Sequence, residues 1–304
     1  MKKILIPLLL IVVLTGGILA WQKFSAPVTP IAQPEPITQE PEPVVPLPPE
    51  PEPVQNTFKI ITLESATPGK ELTDLVGSAN VPIVLAINRL DDKNLRQGMT
   101  LVIPTSYDDM DQWEFMPANI ETARTIPKLI IISQRVQAFG AYEFGTLVRS
   151  GPVSSGKKST PTPSRLYFTN WKGKEVVSTF SDEWILKWNF NLDNFEGVAM
   201  HQYALPGYPA SHSCVRFYAA DAEWNYNWAD QWIVTPDGST KLASGTPVII
   251  YGSYNFTAPA PWKQLPENPD ATKISREELE SLVTENLSTI EHEAAIRTEV
   301  MANQ

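Results

Sequence analysis

Apolar and polar positions divide the chain into segments with different periods. After Met1-Lys2-Lys3 an apolar stretch runs from Ile4 to Ala20 and ends at Trp21, interrupted only by Pro7, Thr15, Gly16 and Gly17. Residues 23–56 then show no hydrophobic period at all. Residues 25–56 hold eleven prolines and five glutamates with no basic residue, so proline-fixed φ angles and missing N–H donors predict an extended polyproline II spacer. At full stretch it would reach on the order of 100 Å. Order returns at Phe58. Residues 58–63 alternate like a strand, 71–76 and 82–88 have helical spacing, and Leu95-Arg96-Gln97-Gly98 turns into a short strand ending at Pro104. The prediction for 57–105 is a small α+β unit in the order strand, helix, helix, strand.

A different pattern governs 124–255. Leu129-Ile130-Ile131-Ile132 is apolar at every position, which is the mark of a strand buried on both faces. Residues 138–142 and 145–149 read as successive strands with a turn at Glu143-Phe144, and Pro247–Tyr251 closes the segment as another strand. Short strands with Gly and Pro punctuation predict a mainly β domain, a barrel or a sandwich. Residues 221–228 carry a helical pattern. Beyond Pro269, Ser275-Arg276-Glu277-Glu278 forms a capping box, and Leu279, Leu282, Val283, Leu287, Ile290 and Ala294 recur at helical spacing. Residues 270–302 are thus expected to form an amphipathic helix that packs on the β domain or on another chain.

Charge and cysteine usage narrow the function. A net charge of −10 gives no basic face for nucleic acid. Two lysines ahead of the Ile4–Ala20 stretch point the rest of the chain out of the cytoplasm. Residues 1–22 read as a signal peptide or an uncleaved membrane anchor, and the location as periplasm or cell wall. The single cysteine, Cys214, excludes an internal disulfide.

That cysteine lies in Ser211-His212-Ser213-Cys214-Val215-Arg216, with His201 thirteen residues upstream. The third histidine, His292, falls in the C-terminal helix and is expected on the surface with no role. A thiol attacks a carbonyl only as thiolate, and a nearby imidazole oriented by an acceptor on its other nitrogen can take the proton. Backbone N–H groups beside the nucleophile can stabilise the resulting oxyanion. Zinc ligation by His201, His212 and Cys214 is the chemical alternative, but no fourth ligand follows nearby, and neither metal nor cofactor is expected. Six of the nine tryptophans fall between 171 and 232. Trp171, Trp184 and Trp188 are candidates for a cleft wall or for core.

His201 with Gly207-Tyr208-Pro209-Ala210-Ser211-His212-Ser213-Cys214-Val215-Arg216 resembles the signature of the L,D-transpeptidase (YkuD-type) catalytic domain. Pro152–Lys157 and Thr160-Pro161-Thr162-Pro163 are similar to two further blocks of that family, and Gly245–Val248 to its closing strand. The resemblance implies an L,D-transpeptidase-like β barrel or sandwich with Cys214 as acyl-enzyme nucleophile and His201 as general base. It implies that His212 lies beside the thiolate and helps bind or polarise the substrate, that Arg216 holds the nucleophile loop or a substrate carboxylate, and that Ser211 binds substrate. The N–H groups of Ser213 and Cys214 would form the oxyanion hole, and the Gln202 carbonyl would orient His201. The family usually has glycine at position 213; a positive φ there would cost serine roughly 1 kcal/mol.

Residues 57–105, through Ile87-Asn88, Leu90 and the Leu95–Pro104 ending, resemble a LysM module, which binds peptidoglycan glycan. The implied partners are therefore the stem peptides and glycan of peptidoglycan, with the membrane added if the N-terminal segment is uncleaved. Transfer to an amine, hydrolysis at the same bond, and wall binding without catalysis are the three readings the sequence leaves open.

Overall fold

The computed structural model describes residues 47–48, 56–108, 110, 114–178 and 184–303. The expected signal or anchor segment lies outside the described residues, and so does the Pro/Glu spacer apart from Leu47, Pro48 and Asn56. Among the described residues no helix is long and apolar enough to cross a membrane.

The first compact part has the predicted order. Strand β1 (Phe58–Thr62), helix α1 (Pro68–Val76), helix α2 (Val81–Ile87) and strand β2 (Thr100–Pro104) follow one another. β1 and β2 pair antiparallel, Phe58 opposite Pro104 and Thr62 opposite Thr100. Leu63, Leu72, Val84, Leu90 and Leu101 close a small core between the helices and the pair. Asn88 explains its place after α2: its side-chain amide donates to the Val102 carbonyl at 2.7 Å and accepts the Val102 N–H at 2.9 Å. A buried amide paired on both sides fixes the helix end to β2.

The larger part is built on one nine-stranded sheet. Its strands are β3 (Leu129–Ser133), β4 (Ala138–Glu143), β5 (Thr146–Ser154), β6 (Arg165–Phe168), β7 (Lys172–Val177), β8 (Ile185–Asp193), β9 (Val198–Gln202), β10 (Val215–Phe217) and, after two short strands β11 (Ile233–Val234) and β12 (Lys241–Ala243), β13 (Pro247–Tyr251). The spatial order is β6-β13-β3-β4-β5-β10-β9-β8-β7. Parallel pairs occur at β13/β3 and at β10/β9, and every other neighbour is antiparallel. The domain is mainly β, as expected. It is a single curled sheet, however, rather than a closed barrel or a two-sheet sandwich.

The four-residue apolar run has a simple cause in this sheet. Ile130 and Ile132 face one core with Phe139, Val153, Phe190, Val215 and Phe217. Leu129 and Ile131 face the other, with Tyr142, Leu279, Val283 and Ile290. Each such side chain contributes about 2 kcal/mol by leaving water. Helix α3 (Ala219–Trp228) covers the first face through Ala222. Helix α4 (Arg276–Ala302) covers the second. α4 starts as its capping box predicts: the Ser275 hydroxyl accepts the Glu278 N–H at 3.1 Å. It packs on the β domain, and the Glu280 carboxylate accepts the N–H groups of Glu121 and Thr122 at 2.6 and 2.8 Å. His292 is exposed on this helix.

Candidate active site

The parallel pair β9/β10 brings the sequence motif together. Arg216 lies opposite His201, and Val215 opposite Met200. The chain between them, residues 203–214, leaves the end of β9 and returns to the start of β10. Cys214 is the last residue before β10. A three-residue strand therefore separates it from α3. The backbone beside the thiol is accordingly a tight bend rather than a helix N-terminus.

Cys214, His201, His212, Ser211, Arg216, Tyr203, Trp184, Leu186 and Ser178 line one open cleft of about 320 Å³. His201 is buried, and its Nδ1 lies 3.0 Å from the Gln202 carbonyl. A carbonyl only accepts, so Nδ1 carries the proton and Nε2 keeps its lone pair. Burial pushes the imidazole down to about 4, with the Gln202 carbonyl opposing and Arg216 reinforcing the fall. Burial likewise pushes the Cys214 thiol up to about 11, against the Ala199 N–H and Arg216. The thiol donates to the Gly197 carbonyl at 3.2 Å. The resting pair is thus neutral imidazole and neutral thiol.

The neighbouring groups fix the nucleophile bend. The Ser211 hydroxyl donates to the Cys214 carbonyl, and the Ser211 N–H donates to Ser155 O at 3.1 Å. Ser211 therefore holds the loop with its own polar atoms, although it borders the cleft. Ser213 has φ +79°, the left-handed region that costs a non-glycine residue about 1–2 kcal/mol. The Thr162 hydroxyl donates to the Ser213 carbonyl at 2.8 Å and accepts the Gly156 N–H at 2.8 Å. In a trans peptide C=O and N–H point oppositely, so fixing the Ser213 carbonyl also fixes the direction of the Cys214 N–H. Gly156 admits no side chain here, since a Cβ would lie 2.3 Å from the Thr160 carbonyl.

His212 stands at the mouth. Lys157 Nζ is 2.9 Å from its Nε2, and the Trp184 ring lies 5.3 Å away. Burial, then Lys157, then Arg216 lower its pKa. Arg216 stacks over Tyr203 at 4.6 Å and donates to the Ala204 carbonyl at 3.4 Å. Of the three candidate wall tryptophans only Trp184 borders the cleft. Trp188 packs against the first core and Tyr226, and Trp171 donates to Asn194 at 2.9 Å. Among the described residues no group of three or more His, Cys, Asp or Glu side chains is placed to hold a metal ion.

Residues 127–250 match the model of the YkuD family, the L,D-transpeptidase catalytic domain. The match covers 124 of the 304 residues of the chain. Among solved structures it is similar to the L,D-transpeptidase of Stackebrandtia nassauensis, at 19% identity and TM-score 0.35 over 43% of this chain and 58% of that one. The L,D-transpeptidase of Mycobacterium smegmatis matches at 20% identity and TM-score 0.34 over 41% and 59%. The catalytic domain of the Enterococcus faecium enzyme matches at 18% identity and TM-score 0.32 over 41% and 96%. This chain thus spans under two thirds of the first two structures. No curated protein matches it.

Within the matched segment, sequence reasoning missed Lys157, Thr162 and Tyr203. The first two sit inside the blocks Pro152–Lys157 and Thr160–Pro163, whose match to the family was the available signal. Their contacts with residues 212 and 213 depend on the Gly156–Ser211 bridge, which no local pattern encodes. Tyr203 carries no motif.

Proposed function

We propose that the protein is a cell-wall L,D-transpeptidase acting on the stem peptides of peptidoglycan. The observation that carries this reading is the convergence of Cys214, His201, His212 and Arg216 on one cleft of a YkuD domain. His201 Nε2 takes the thiol proton as Cys214 Sγ attacks the L-centred carbonyl of the third stem residue. The tetrahedral oxyanion faces the N–H groups of Ser213 and Cys214. The amide C–N bond breaks, the terminal D-residue leaves with the proton from His201, and a thioester remains. An amine of a neighbouring stem then attacks, its proton passing to His201. The new amide forms, the C–S bond breaks, and the thiol is restored.

His212, its pKa lowered by burial and then by Lys157 and Arg216, helps bind the substrate at the cleft mouth. Arg216 supplies positive potential for the thiolate and for a substrate carboxylate. The 57–105 unit is read as a LysM-like module that binds glycan, and residues 1–22 as the export signal or anchor. Masses of muropeptides after incubation with purified peptidoglycan test this function. New dimers are expected. Shortened or released stems without dimers would assign hydrolysis, and unchanged muropeptides would leave only wall binding.

A further inference from the structure

The loop between His201 and Cys214 is held from two sides. On one side β5 grips its far end: the Ser154 hydroxyl donates to Tyr208 O at 2.8 Å and accepts the Ala210 N–H at 3.1 Å. On the other side the holder is the N-terminal unit. Asp91 N–H donates to Leu205 O at 2.9 Å, and Leu205 N–H donates to Asp91 Oδ2 at 2.8 Å. Gly207 N–H donates to Arg89 O at 2.9 Å, and Leu90 forms a β-bridge with Pro206. Tyr218, just after β10, donates through its hydroxyl to Leu90 O at 2.5 Å. Residues 89–91 thus grip both the loop and the far side of β10.

That segment is itself rigid. The Arg89 side chain is 1% exposed. Its Nε donates to Val136 O at 2.9 Å and its Nη1 to Ile87 O at 2.7 Å, and the guanidinium lies between the Phe115 and Trp262 rings at 5.0 and 4.8 Å. A buried guanidinium is tolerated only when its donors are satisfied, so Arg89 ties the end of α2 to β4's approach and to the segment before α4. The loop comes equally close from its side: a Cβ at Gly207, whose φ is +86°, would meet Leu90 at 3.2 Å and Asn88 O at 3.3 Å.

We infer that the N-terminal unit is a working part of the active-site scaffold, with Asp91 a positioning residue that acts on the cleft through Leu205, Ala204 and Arg216. Leu205 is fully buried, and the neighbouring Ala204 carbonyl receives the Arg216 guanidinium. Arg216 in turn is the cation of the cleft nearest the reacting pair by register. The groups facing the thiol are His201 from β9, Tyr203 from the loop, His212 and Arg216 from the nucleophile motif, with Lys157 behind His212 and Tyr208 beside Arg216. Arg216 is the cation among them that is tied to the N-terminal unit, through the Ala204 carbonyl next to Leu205. The inference rests on the reading of Cys214 as nucleophile, and it makes the unit more than a tether for glycan.

The test uses the complete chain and iodoacetamide, which reports on the only thiol whatever the natural substrate. Alkylation rate is measured against pH, with thermal melting as a fold control. Asp91→Ala is expected to slow alkylation at neutral pH at least fivefold and to move its midpoint to higher pH, because the thiolate loses a well-placed cation. Asp91→Asn keeps one acceptor but cannot satisfy both Leu205 N–H and the Asn94 N–H groups now bound to Oδ1 at 3.0 and 2.7 Å, so it should shift in the same direction. Asn94→Ala disturbs the unit without touching Leu205 and should stay within twofold of the parent. If folded Asp91→Asn and Asp91→Ala keep the parent's rate and midpoint, the inference is overturned; a shift equally large in Asn94→Ala would overturn it too. Failure of the parent to turn over stem peptides would count against the transpeptidase reading alone, since alkylation does not depend on it.

Discussion

Lys157 Nζ lies 2.9 Å from His212 Nε2. An ammonium only donates, so the imidazole accepts at Nε2 and holds its proton on Nδ1. The two histidines of the cleft thus share a tautomer for different reasons, His201 through a carbonyl on Nδ1 and His212 through a cation on Nε2. The lysine also opposes protonation of His212, in company with burial and Arg216.

Lys157→Met should therefore raise the His212 pKa towards its ordinary value and free the ring to change tautomer. Nitrogen-15 spectra of the imidazoles across pH 4–8 read both effects. An unmoved midpoint, or an Nε2–H tautomer in the parent, would contradict the pairing.

Ser213→Gly relieves a residue held at φ +79°. Glycine removes a strain of about 1 kcal/mol or more and costs a similar amount in chain entropy. Stability should change by less than about 1 kcal/mol, and thioester formation with an acylating stem analogue should be equal or faster. A hundredfold fall in that rate would mean that the Ser213 hydroxyl takes part in the chemistry.

The strands were legible wherever one chemistry dominated. Residues 129–132 announce a strand buried on both faces because every position is apolar, and Ser275 announces α4 because its hydroxyl and Glu278 sit at capping distance in sequence. The curl of the sheet was not legible, since it follows from pairing between strands far apart, such as β5 with β10 and β13 with β3. In the site, Cys214, His201 and His212 stood out as rare residue types in a short span. Thr162 and Lys157 did not, because threonine and lysine are common and their roles exist only after residue 156 meets residue 211. The tryptophans misled for a related reason: aromatic side chains serve core and cleft alike, and only Trp184 borders the cleft.

Thr162→Val keeps shape and removes the hydroxyl that joins Gly156 N–H to the Ser213 carbonyl. Leaving a buried N–H and carbonyl without that partner costs about 1–3 kcal/mol. The Cys214 N–H also loses its fixed direction, so acylation should slow at least tenfold, while Thr162→Ser should restore most of it. Stopped-flow acylation of the two variants checks this; equal rates in valine and serine would remove Thr162 from oxyanion-hole positioning.

Burial of His201 also shapes stability. Its pKa falls from 6.5 to about 4 on folding, so the unfolded chain binds more protons between those values and stability rises with pH across that window. The contribution is fully present above about 6.5 and is lost as pH drops towards 4, at about 1.4 kcal/mol per pH unit and about 3 kcal/mol in all. Denaturant unfolding of the parent and of His201→Gln at pH 7 and pH 4 should show that much less acid sensitivity in the variant. Identical pH dependence would mean that His201 is not held neutral.

The most direct measurement is the intact mass of the protein during reaction with a tetrapeptide stem. An adduct equal to the stem less its terminal D-residue should form on the parent, map to Cys214, and vanish when an amine acceptor is added. Cys214→Ala should give neither adduct nor product. Product formed by Cys214→Ala, or an adduct mapped to any other residue, would contradict the assignment of Cys214 as nucleophile.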